Sequence, residues 1–422
     1  MRPEWEKGIR GGLYVLGRRL LPLAWRRAVR RRLAPEKLLG IRKPPVDLPR
    51  YEFDPNEARP GRPDILLLPV IAWSDRRQRP QQLSEALARR GKRVFYGAVR
   101  GRGEPREAAG VAPGVTLLPI EGIAREDLRE RRLDGRALEA AIQDLSGARD
   151  AYELHEAVLL LQSPFWTPLA LALRERFGWK VVYDCLDVHA GFSANRPEAL
   201  AAAETRLLSE ADLVVATSDV LRERLGTAAR LLPNACDYKR FARAFERRGS
   251  GEPLTVGYVG AVDDWFDSDL FERLARLRPE WRFEVVGGSD SGRAPFGQRL
   301  PNVLFHGESP HAELPRLRER FDVEIIPFRL TELTHAVDPV KLYEAAAAGR
   351  PVVATPMRSL EPLAARGLVR TASTAAEFAR AIEQAAAEGP QVAEARRAFF
   401  PTPATTGGSR RPSGGEAAES PS

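Results

Sequence analysis

The feature that most constrains the fold is a repeated alternation of short apolar segments with longer helical ones. The apolar segments run without interruption, as in 64–70 and 157–162, instead of alternating with polar residues. Such runs are typical of strands covered on both faces, as the strands of a parallel sheet are. The alternation stops near residue 243 and restarts at Leu254. We therefore predict an α/β protein with two doubly wound, Rossmann-like domains and a cleft between them.

The predicted domains leave a segment at each end of the chain. The first domain covers 63–242 and the second 253–390, with 1–62 ahead of them. Residues 40–62 are rich in proline and are predicted to be a linker. Residues 401–422 consist mainly of small and polar types with proline, so we expect a disordered tail.

Positive charge is concentrated at the N-terminus. The net charge is +8, yet residues 1–50 hold fourteen Lys or Arg against four Asp or Glu, so the other 372 residues sum to about −2. This balance excludes a nucleic-acid function for the body of the protein. Leucines at helical spacing among arginines in 8–33, interrupted at Pro22, predict a basic amphipathic segment on an anionic membrane surface. A solvated basic arm is the alternative.

The cysteine content and the N-terminus bear on location. Cys185 and Cys236 make neither a disulfide framework nor a metal set, which favours a reducing, cytoplasmic setting. The N-terminus has no pattern of a cleavable signal peptide, and its apolar runs fall short of the roughly 20 residues of a membrane span. We therefore expect a cytoplasmic protein, peripheral on the inner face of the plasma membrane.

The stretch 329–356 carries the most chemical information. Asp338 stands where an N-cap belongs, Pro339 at the first helical position, and Gly349 just past the helix end. The free N–H groups that open such a helix are an anion site. Lys341 and Glu344 lie three residues apart and share a face. A cation for phosphate beside a carboxylate for sugar hydroxyls predicts a nucleotide-sugar pocket; the simpler interpretation is a capped surface helix.

Several segments together resemble a known family. They are Gln78–Gln81 (QRPQ), Tyr183–Asp187 (YDCLD), Gly260–Asp267 (GAVDDWFD), Ile325–Phe328 (IIPF) and the run PVKLYEAAAAGRPVVATP at 339–356. Over about 63–389, the chain resembles the family 4 glycosyltransferases of the two-domain B-type fold, and most nearly the bacterial exopolysaccharide and teichuronic-acid type members. The resemblance implies transfer of a sugar from a nucleoside diphosphate sugar, usually with retention, to a glycan acceptor. With the basic N-terminal segment, we expect that acceptor to be lipid-linked. No cofactor and no metal are expected.

The resemblance also implies roles for residues of the second domain. It places Glu344 on the ribose hydroxyls and the N–H groups of Val340 and Lys341 at the diphosphate. The first glutamate of the family's paired-glutamate motif falls on Ala336. Its role would then pass to a neighbour, and the candidates are Glu332, Thr334, His335 and Asp338.

Two more features of the second domain bear on the donor site. Asp263–Asp264 stands where the family has a basic residue, so Arg329 or Lys341 is predicted to supply that charge to the leaving diphosphate. Gly257 and Gly260 flank a strand end that should enter the cleft, where a missing Cβ admits a ligand closely.

The first domain supplies candidates for catalysis and for the acceptor. Asp187 and His189 follow a predicted strand, and a carboxylate beside a histidine suits a general base. Arg76 and Arg79 follow the first strand and are predicted to bind a lipid-diphosphate acceptor. The simpler interpretations are a hydrogen-bonded loop histidine and a basic surface loop.

Three other functions remain open from the sequence. Ala336 in place of a glutamate favours a catalytically weakened scaffold that binds a nucleotide sugar. A nucleotide-sugar epimerase or a phosphorylase would use the same fold, although the cofactor-lysine motif of phosphorylases is not found. Fold alone does not decide among these functions.

Overall fold

The computed structural model describes residues 63–100, 108–124, 127–130, 132–192, 197–226, 228–242, 253–288 and 300–399. The predictions made for the basic N-terminal segment, the proline-rich linker and the C-terminal tail lie outside these residues. The same is true of the proposed membrane contact through 8–33. No helix among the described residues is long and apolar enough to cross a membrane.

Within the described residues, the first sheet has eight strands and the second has six. The strands of the first sheet are β1 (Asp64–Leu68), β2 (Val94–Arg100), β3 (Ala109–Ala112), β4 (Val115–Ala124), β5 (Ala157–Leu161), β6 (Lys180–Cys185), β7 (Leu213–Ala216) and β8 (Arg230–Leu231). Their order is β3-β4-β2-β1-β5-β6-β7-β8. All neighbours are parallel except β3 and β4, whose antiparallel pairing at the sheet edge the sequence patterns did not predict.

The second sheet has six parallel strands. They are β9 (Thr255–Val259), β10 (Arg282–Val286), β11 (Val303–Gly307), β12 (Val323–Ile326), β13 (Val352–Ala354) and β14 (Arg370–Thr371). Their order is β11-β10-β9-β12-β13-β14. Two predominantly parallel α/β sheets confirm the predicted fold class.

Helices connect these strands. They are α1 (Arg79–Arg89), α2 (Asp127–Glu130), α3 (Gly135–Ala151), α4 (Thr167–Phe177), α5 (Pro197–Glu210), α6 (Asp219–Leu225), α7 (Tyr238–Phe241), α8 (Ser268–Leu277), α9 (Leu314–Arg318), α10 (Glu332–Ala336), α11 (Val340–Ala347), α12 (Glu361–Ala364), α13 (Ala375–Ala386) and α14 (Pro390–Phe399). The sequence patterns missed six of them: α2, α6, α7, α10, α12 and α14. Helix α14 packs against α11, so the packed second domain extends beyond the predicted boundary at residue 390.

Burial on both faces explains the uninterrupted apolar strands. In β1, Leu66 and Leu68 belong to one buried cluster and Ile65 and Leu67 to another. Since successive side chains of a strand point to opposite faces, each face needs its own apolar set. Helices cover both clusters, and the one polar residue of β1, Asp64, is buried and paired with Arg93.

Gly257 in β9 has a packing role, which corrects our prediction that it admits a ligand. A Cβ built on this glycine would lie 2.1 Å from Cδ2 of Phe321, so the missing side chain makes room for the aromatic ring. Phe321 is fully buried beside Val259 and Val286. Gly257 therefore allows the loop after α9 to pack on the sheet.

The connections define where ligands can bind. The chain reverses its direction of progress across the sheet between β1 and β5 in the first domain, and between β9 and β12 in the second. Open parallel sheets bind ligands at the carboxyl ends of the strands beside such a reversal. The two carboxyl edges face each other, since Ser218 Oγ after β7 donates to Ala336 O after β12 at 2.7 Å. A ligand-binding site is therefore expected in the cleft between them.

Candidate functional site

Helix α11 begins one residue later than an Asp338 cap requires, so the predicted N-cap is wrong. The N-cap position is held by Pro339, which has no side-chain oxygen to offer, and the helix runs from Val340. Asp338 turns away instead and accepts hydrogen bonds from the backbone N–H of Asn234 at 2.6 Å and the hydroxyl of Tyr343 at 2.9 Å. The hydrogen bond from Asn234 to Asp338 joins the two domains. The first turn of α11 has no side-chain cap. The predicted end of the helix is confirmed, since Gly349 follows it with φ +71°.

The carboxyl group of Asp338 has a raised pKa. Burial raises its pKa to about 6, although the hydrogen bonds from Asn234 and Tyr343 and the charge of Arg79 act in the opposite direction. A second bond ties the same two segments, from Asn234 Nδ2 to Asp338 O at 2.6 Å. Asp338 therefore acts as a joint between the domains, at the start of the helix predicted to bind phosphate.

Lys341 is the most informative residue of the site. Its Nζ lies 4.5 Å from the ring centroid of Phe328 and 4.8 Å from that of Tyr258, and 3.4 Å from the Tyr258 hydroxyl. Burial lowers the pKa of Lys341 to about 7. The position is half-buried, so Lys341 is not a fully solvated lysine. Two aromatic rings attract an ammonium group but do not neutralise it, so the group can still bind an anion.

Gly260 and Lys341, both predicted to bind the nucleotide sugar, lie next to each other. Gly260 follows β9 with φ +147°, and a Cβ on it would lie 2.7 Å from Lys341 Nζ. A side chain at this position would therefore displace the ammonium group. Gly260 is needed both for its backbone conformation and for the close approach of Lys341.

Glu344 is buried one helical turn further along α11. Its Oε2 accepts from Arg318 Nη2 at 2.6 Å, and its Oε1 lies 3.5 Å from His311 Nε2. Burial alone would raise the pKa of Glu344, but Arg318 and His311 outweigh it and the pKa is lowered. Glu344 is therefore an ionised carboxylate inside the second domain and not a charge on the surface of the helix.

Arg318 was not predicted as part of the site. It is fully buried, binds Glu324 as well as Glu344, and lies over the ring of Phe241 at 5.6 Å. Burial raises the pKa of Glu324, which shares this one guanidinium. The sequence offers no motif for Arg318, since it is one arginine among several in a predicted helix.

The predicted role of Arg329, to supply positive charge to the leaving diphosphate, stays a prediction. Arg329 follows β12 at the same edge of the sheet, where its backbone N–H donates to Trp265 O at 2.8 Å. Its guanidinium Nη2 lies 3.9 Å from Asp269 Oδ2 at a partly exposed position. The Arg329 side chain therefore lies at the carboxyl edge of the second sheet, and Asp269 partly balances its charge.

Arg79 does not have the acceptor-binding role that we predicted. Its guanidinium is buried and forms a bidentate pair with Asp184, with Nη2–Oδ1 at 2.7 Å and Nε–Oδ2 at 2.9 Å. Its Nη1 donates to Pro233 O and Asn234 Oδ1. Burial alone would lower the pKa of Arg79, but Asp184 outweighs it and the pKa is raised. The residue holds the end of β6 to the segment after β8, which is a structural role.

Asp187 and His189 lie at the cleft, as predicted. They follow β6, and His189 opens a short 3-10 turn with its side chain buried against the ring of Tyr183, 6.4 Å between centroids. The turn reaches the second domain, because a Cβ on Gly191 would lie 3.8 Å from Leu333 Cδ1. A catalytic role for the pair stays a prediction.

Three candidates for the role of the family glutamate that Ala336 replaces lie beside it in the chain. Ala336 is buried, and Thr334 Oγ1 is held within its own turn by Arg329 O. His335 Nδ1 accepts from the backbone N–H of Arg358 at 3.1 Å, and Glu332 is exposed. Among the described residues, no group of three or more His, Cys, Asp or Glu is arranged to hold a metal ion.

The fold and the position of this cleft define a class of protein. The structure is similar to that of sucrose-phosphate synthase from Thermosynechococcus elongatus, with a TM-score of 0.64 and 20% identity over 80% of this chain and 95% of that one. It is also similar to Anabaena HepE in complex with UDP and glucose, with a TM-score of 0.56 and 17% identity over 80% and 94% of the two chains. The molecule therefore has the two-domain B-type glycosyltransferase fold.

Sequence comparison identifies the second domain more narrowly. Residues 253–388 match the model of the family described as "Glycosyl transferases group 1". The chain is 30% identical over 211 residues to a Bacillus subtilis (strain 168) protein described as "Putative teichuronic acid biosynthesis glycosyltransferase TuaH". The match covers 44% of this chain and 53% of that protein, so the chain spans about half the length of this curated relative.

Proposed function

We propose that the protein is a glycosyltransferase that moves a sugar from a nucleoside diphosphate sugar to a glycan acceptor in cell-envelope polysaccharide synthesis. One observation carries the proposal: Lys341 holds a desolvated ammonium group at the strand reversal of the second domain. Beside it, the first turn of α11 presents N–H groups that no side chain of the N-cap residue covers. A diphosphate supplies the negative charge that both features lack.

Glu344 would bind the nucleoside part of the donor. Arg318 occupies its Oε2, and Oε1, which lies 3.5 Å from His311 Nε2, would accept hydrogen bonds from ribose hydroxyls. Arg318 keeps Glu344 ionised, and charge-assisted hydrogen bonds to a carboxylate are about twice as strong as neutral ones. The pocket would therefore hold the ribose deep in the second domain, with the diphosphate pointing to Lys341.

The chemical step follows from this placement. The bond from the donor C1 to the diphosphate oxygen breaks, and the electron pair leaves with the diphosphate. Lys341 and the N-terminus of α11 stabilise that charge without a metal ion. The acceptor hydroxyl oxygen bonds to C1, and its proton passes to His189, which Asp187 helps to orient. Retention at C1 and a lipid-linked acceptor, reached from the membrane surface, belong to the proposal.

A binding screen tests the donor site. Thermal unfolding of the full chain would be followed with UDP, GDP and dTDP, each beside its nucleoside, with Mg²⁺ or with EDTA. A ligand present at 100 times its dissociation constant adds about 2.7 kcal/mol to stability. We expect a shift with one nucleoside diphosphate that does not depend on the metal. No shift with any of them would contradict the proposal.

The site assignment needs a matched pair of variants. Glu344→Gln keeps the shape of the side chain and should weaken nucleoside diphosphate binding by about 1.5–3 kcal/mol, because charged hydrogen bonds to the ribose are lost. Glu332→Gln removes an exposed carboxylate nearby and should leave binding unchanged. Equal binding by both variants would place the ribose elsewhere.

The scaffold alternative rests on Ala336. A protein that binds a nucleotide sugar but lacks a needed carboxylate would show the thermal shift without turnover. Slow hydrolysis of the donor in the absence of acceptor, measured as release of the nucleoside diphosphate, separates the two. Release that depends on His189 supports the transferase, and binding without any release supports the scaffold.

A further inference from the structure

The donor site has an apparent shortage of positive charge. The turn after β9 carries Asp263–Asp264, and Arg329 is partly balanced by Asp269. Lys341, with a pKa of about 7, carries only part of a charge near neutral pH. A diphosphate brings at least two negative charges, so one such cation is a weak counterpart.

Arg76 brings a cation from the first domain to this place. It follows β1, yet its Nε donates to Glu308 Oε1, just past β11 of the second domain, at 2.8 Å. Its Nη2 lies so close to Gly288 that a Cβ there would be 2.6 Å away. The guanidinium therefore crosses the cleft and rests on the glycine turn that follows β10.

That glycine turn adjoins the Lys341 site directly. Val262 N–H donates to Gly288 O at 2.9 Å, and Gly260 N–H donates to Val286 O at 2.8 Å, so the turns after β9 and β10 are hydrogen-bonded together. The positive charge of Arg76 acts on the same space, since it contributes to lowering the pKa of Lys341. Arg76 and Lys341 thus lie on two adjoining turns at the strand reversal.

The partner of Arg76 is easily exchanged. The side chains of Arg76 and Glu308 are 41% and 50% exposed, and ion pairs of that exposure contribute little to stability. Arg79, three residues along, is 9% exposed and bound to a fully buried Asp184. One arginine of the loop is thus fixed in the structure, while the other rests on a weak partner at the mouth of the cleft.

We propose that Arg76 is a donor-binding residue that exchanges Glu308 for the diphosphate of the nucleotide sugar. This inference rests on the proposed function and replaces the acceptor role that the sequence predicted for Arg76. The first domain then completes the donor site of the second, and the guanidinium, a bidentate donor suited to phosphate oxygens, stabilises the leaving group beside Lys341. Glu308 holds Arg76 in position until the donor arrives.

The test compares diphosphates with nucleosides by isothermal titration calorimetry on the full chain. The ligands are inorganic pyrophosphate, UDP, GDP and dTDP, and the corresponding nucleosides. Arg76→Ala should weaken binding of the preferred nucleoside diphosphate by about 10- to 100-fold and leave its nucleoside within about twofold, because only the phosphates lose a partner. Glu308→Gln should bind the diphosphate as tightly as the wild type or more tightly.

The matched control is the neighbouring residue. Arg77 belongs to the same loop, but its guanidinium binds Glu85 of α1 within the first domain, so Arg77→Ala should leave diphosphate binding unchanged. Unchanged diphosphate binding by Arg76→Ala, together with a raised KM for the acceptor, would overturn the inference and restore the acceptor role. A wild-type chain that binds no nucleoside diphosphate would overturn the proposed function, and this inference with it.

Discussion

Arg79 in the first domain and Lys341 in the second are both cations withdrawn from water at a strand reversal, and they differ in their partners. Arg79 has a bidentate carboxylate, Asp184, and two further oxygen acceptors. Lys341 has the faces of Tyr258 and Phe328 and one hydroxyl. The pKa of Arg79 is therefore raised, while that of Lys341 is lowered to about 7.

The comparison separates a structural charge from one suited to a ligand. A buried cation that is fully paired with protein oxygens has nothing left to offer a substrate, and removing its partner is costly. A cation held by aromatic rings is not neutralised by them. Its desolvation destabilises the folded protein until an anion binds. The cations withdrawn from water at the two strand reversals thus have opposite uses.

The largest effect is expected from removing the partner of Arg79. Asp184→Ala leaves a buried guanidinium with only neutral acceptors, so we expect a loss of about 3–5 kcal/mol in the free energy of unfolding, measured in urea. Arg89→Ala, at a 64% exposed side chain, should change it by less than about 0.5 kcal/mol. If Asp184→Ala does not fold, Asp184→Asn is the milder substitute. A loss similar to that of the control would show that the pair is not structural.

Removing the cation in the second domain should act in the opposite direction. The pKa of Lys341 is about 7 in the folded protein and about 10.4 in an unfolded chain, so the folded state binds fewer protons between these values. The stability of the wild type should therefore rise as pH increases from 7 towards 10. Lys341→Met removes this dependence and should gain about 1–3 kcal/mol at pH 7, with the gain shrinking at higher pH.

Urea unfolding at pH 7, 8 and 9.5 measures this difference. Lys180→Met, at a 71% exposed side chain, is the control and should show no pH-dependent gain. Binding offers a second readout, because a diphosphate that raises the pKa of Lys341 makes the protein take up nearly one proton at pH 8. Calorimetry in two buffers of different ionisation enthalpy detects that uptake. Destabilisation by Lys341→Met at pH 7 would contradict the assigned pKa.

A smaller effect is expected at the joint between the domains. The folded pKa of Asp338 is raised to about 6, so its stabilising contribution is present at low pH and is lost as pH rises through 6. Asp338→Asn keeps an oxygen acceptor for Asn234 and Tyr343 but does not titrate. Relative to the wild type, the variant should gain about 1–2 kcal/mol between pH 4 and pH 7. Parallel stability curves for the two proteins would refute the raised pKa.

The smallest effect is expected from an exposed contact between the domains. Arg358 Nη2 lies 3.5 Å from Glu223 Oε2, and both side chains are more than half exposed. Arg358→Ala should change the free energy of unfolding by less than about 0.5 kcal/mol. A change above about 1 kcal/mol would mean that exposed charges hold the domains together, and the contrast between buried and exposed pairs would need revision.

The site could be predicted from the sequence only where a local pattern carries the chemistry. Lys341 and Glu344 were found because three residues of a helix bring them to one face, and Gly260 because a glycine ends a strand. Arg318 was missed, since nothing local marks an arginine whose partner carboxylates come from β12 and α11. Asp338 and Arg79 were assigned from their neighbours in the chain, whereas their real partners lie far away in sequence.

The sequence by itself determined the two parallel α/β sheets, because strands buried on both faces need continuous apolar runs and the helices between them need caps and periodic faces. It also determined which segment begins the candidate phosphate-binding helix. Only the tertiary structure decided which charges pair within the protein and which stay exposed to a ligand. The reason is physical: pairing and pKa depend on distance and desolvation across the cleft, and residues such as Arg76 and Glu308 meet there although 232 positions separate them.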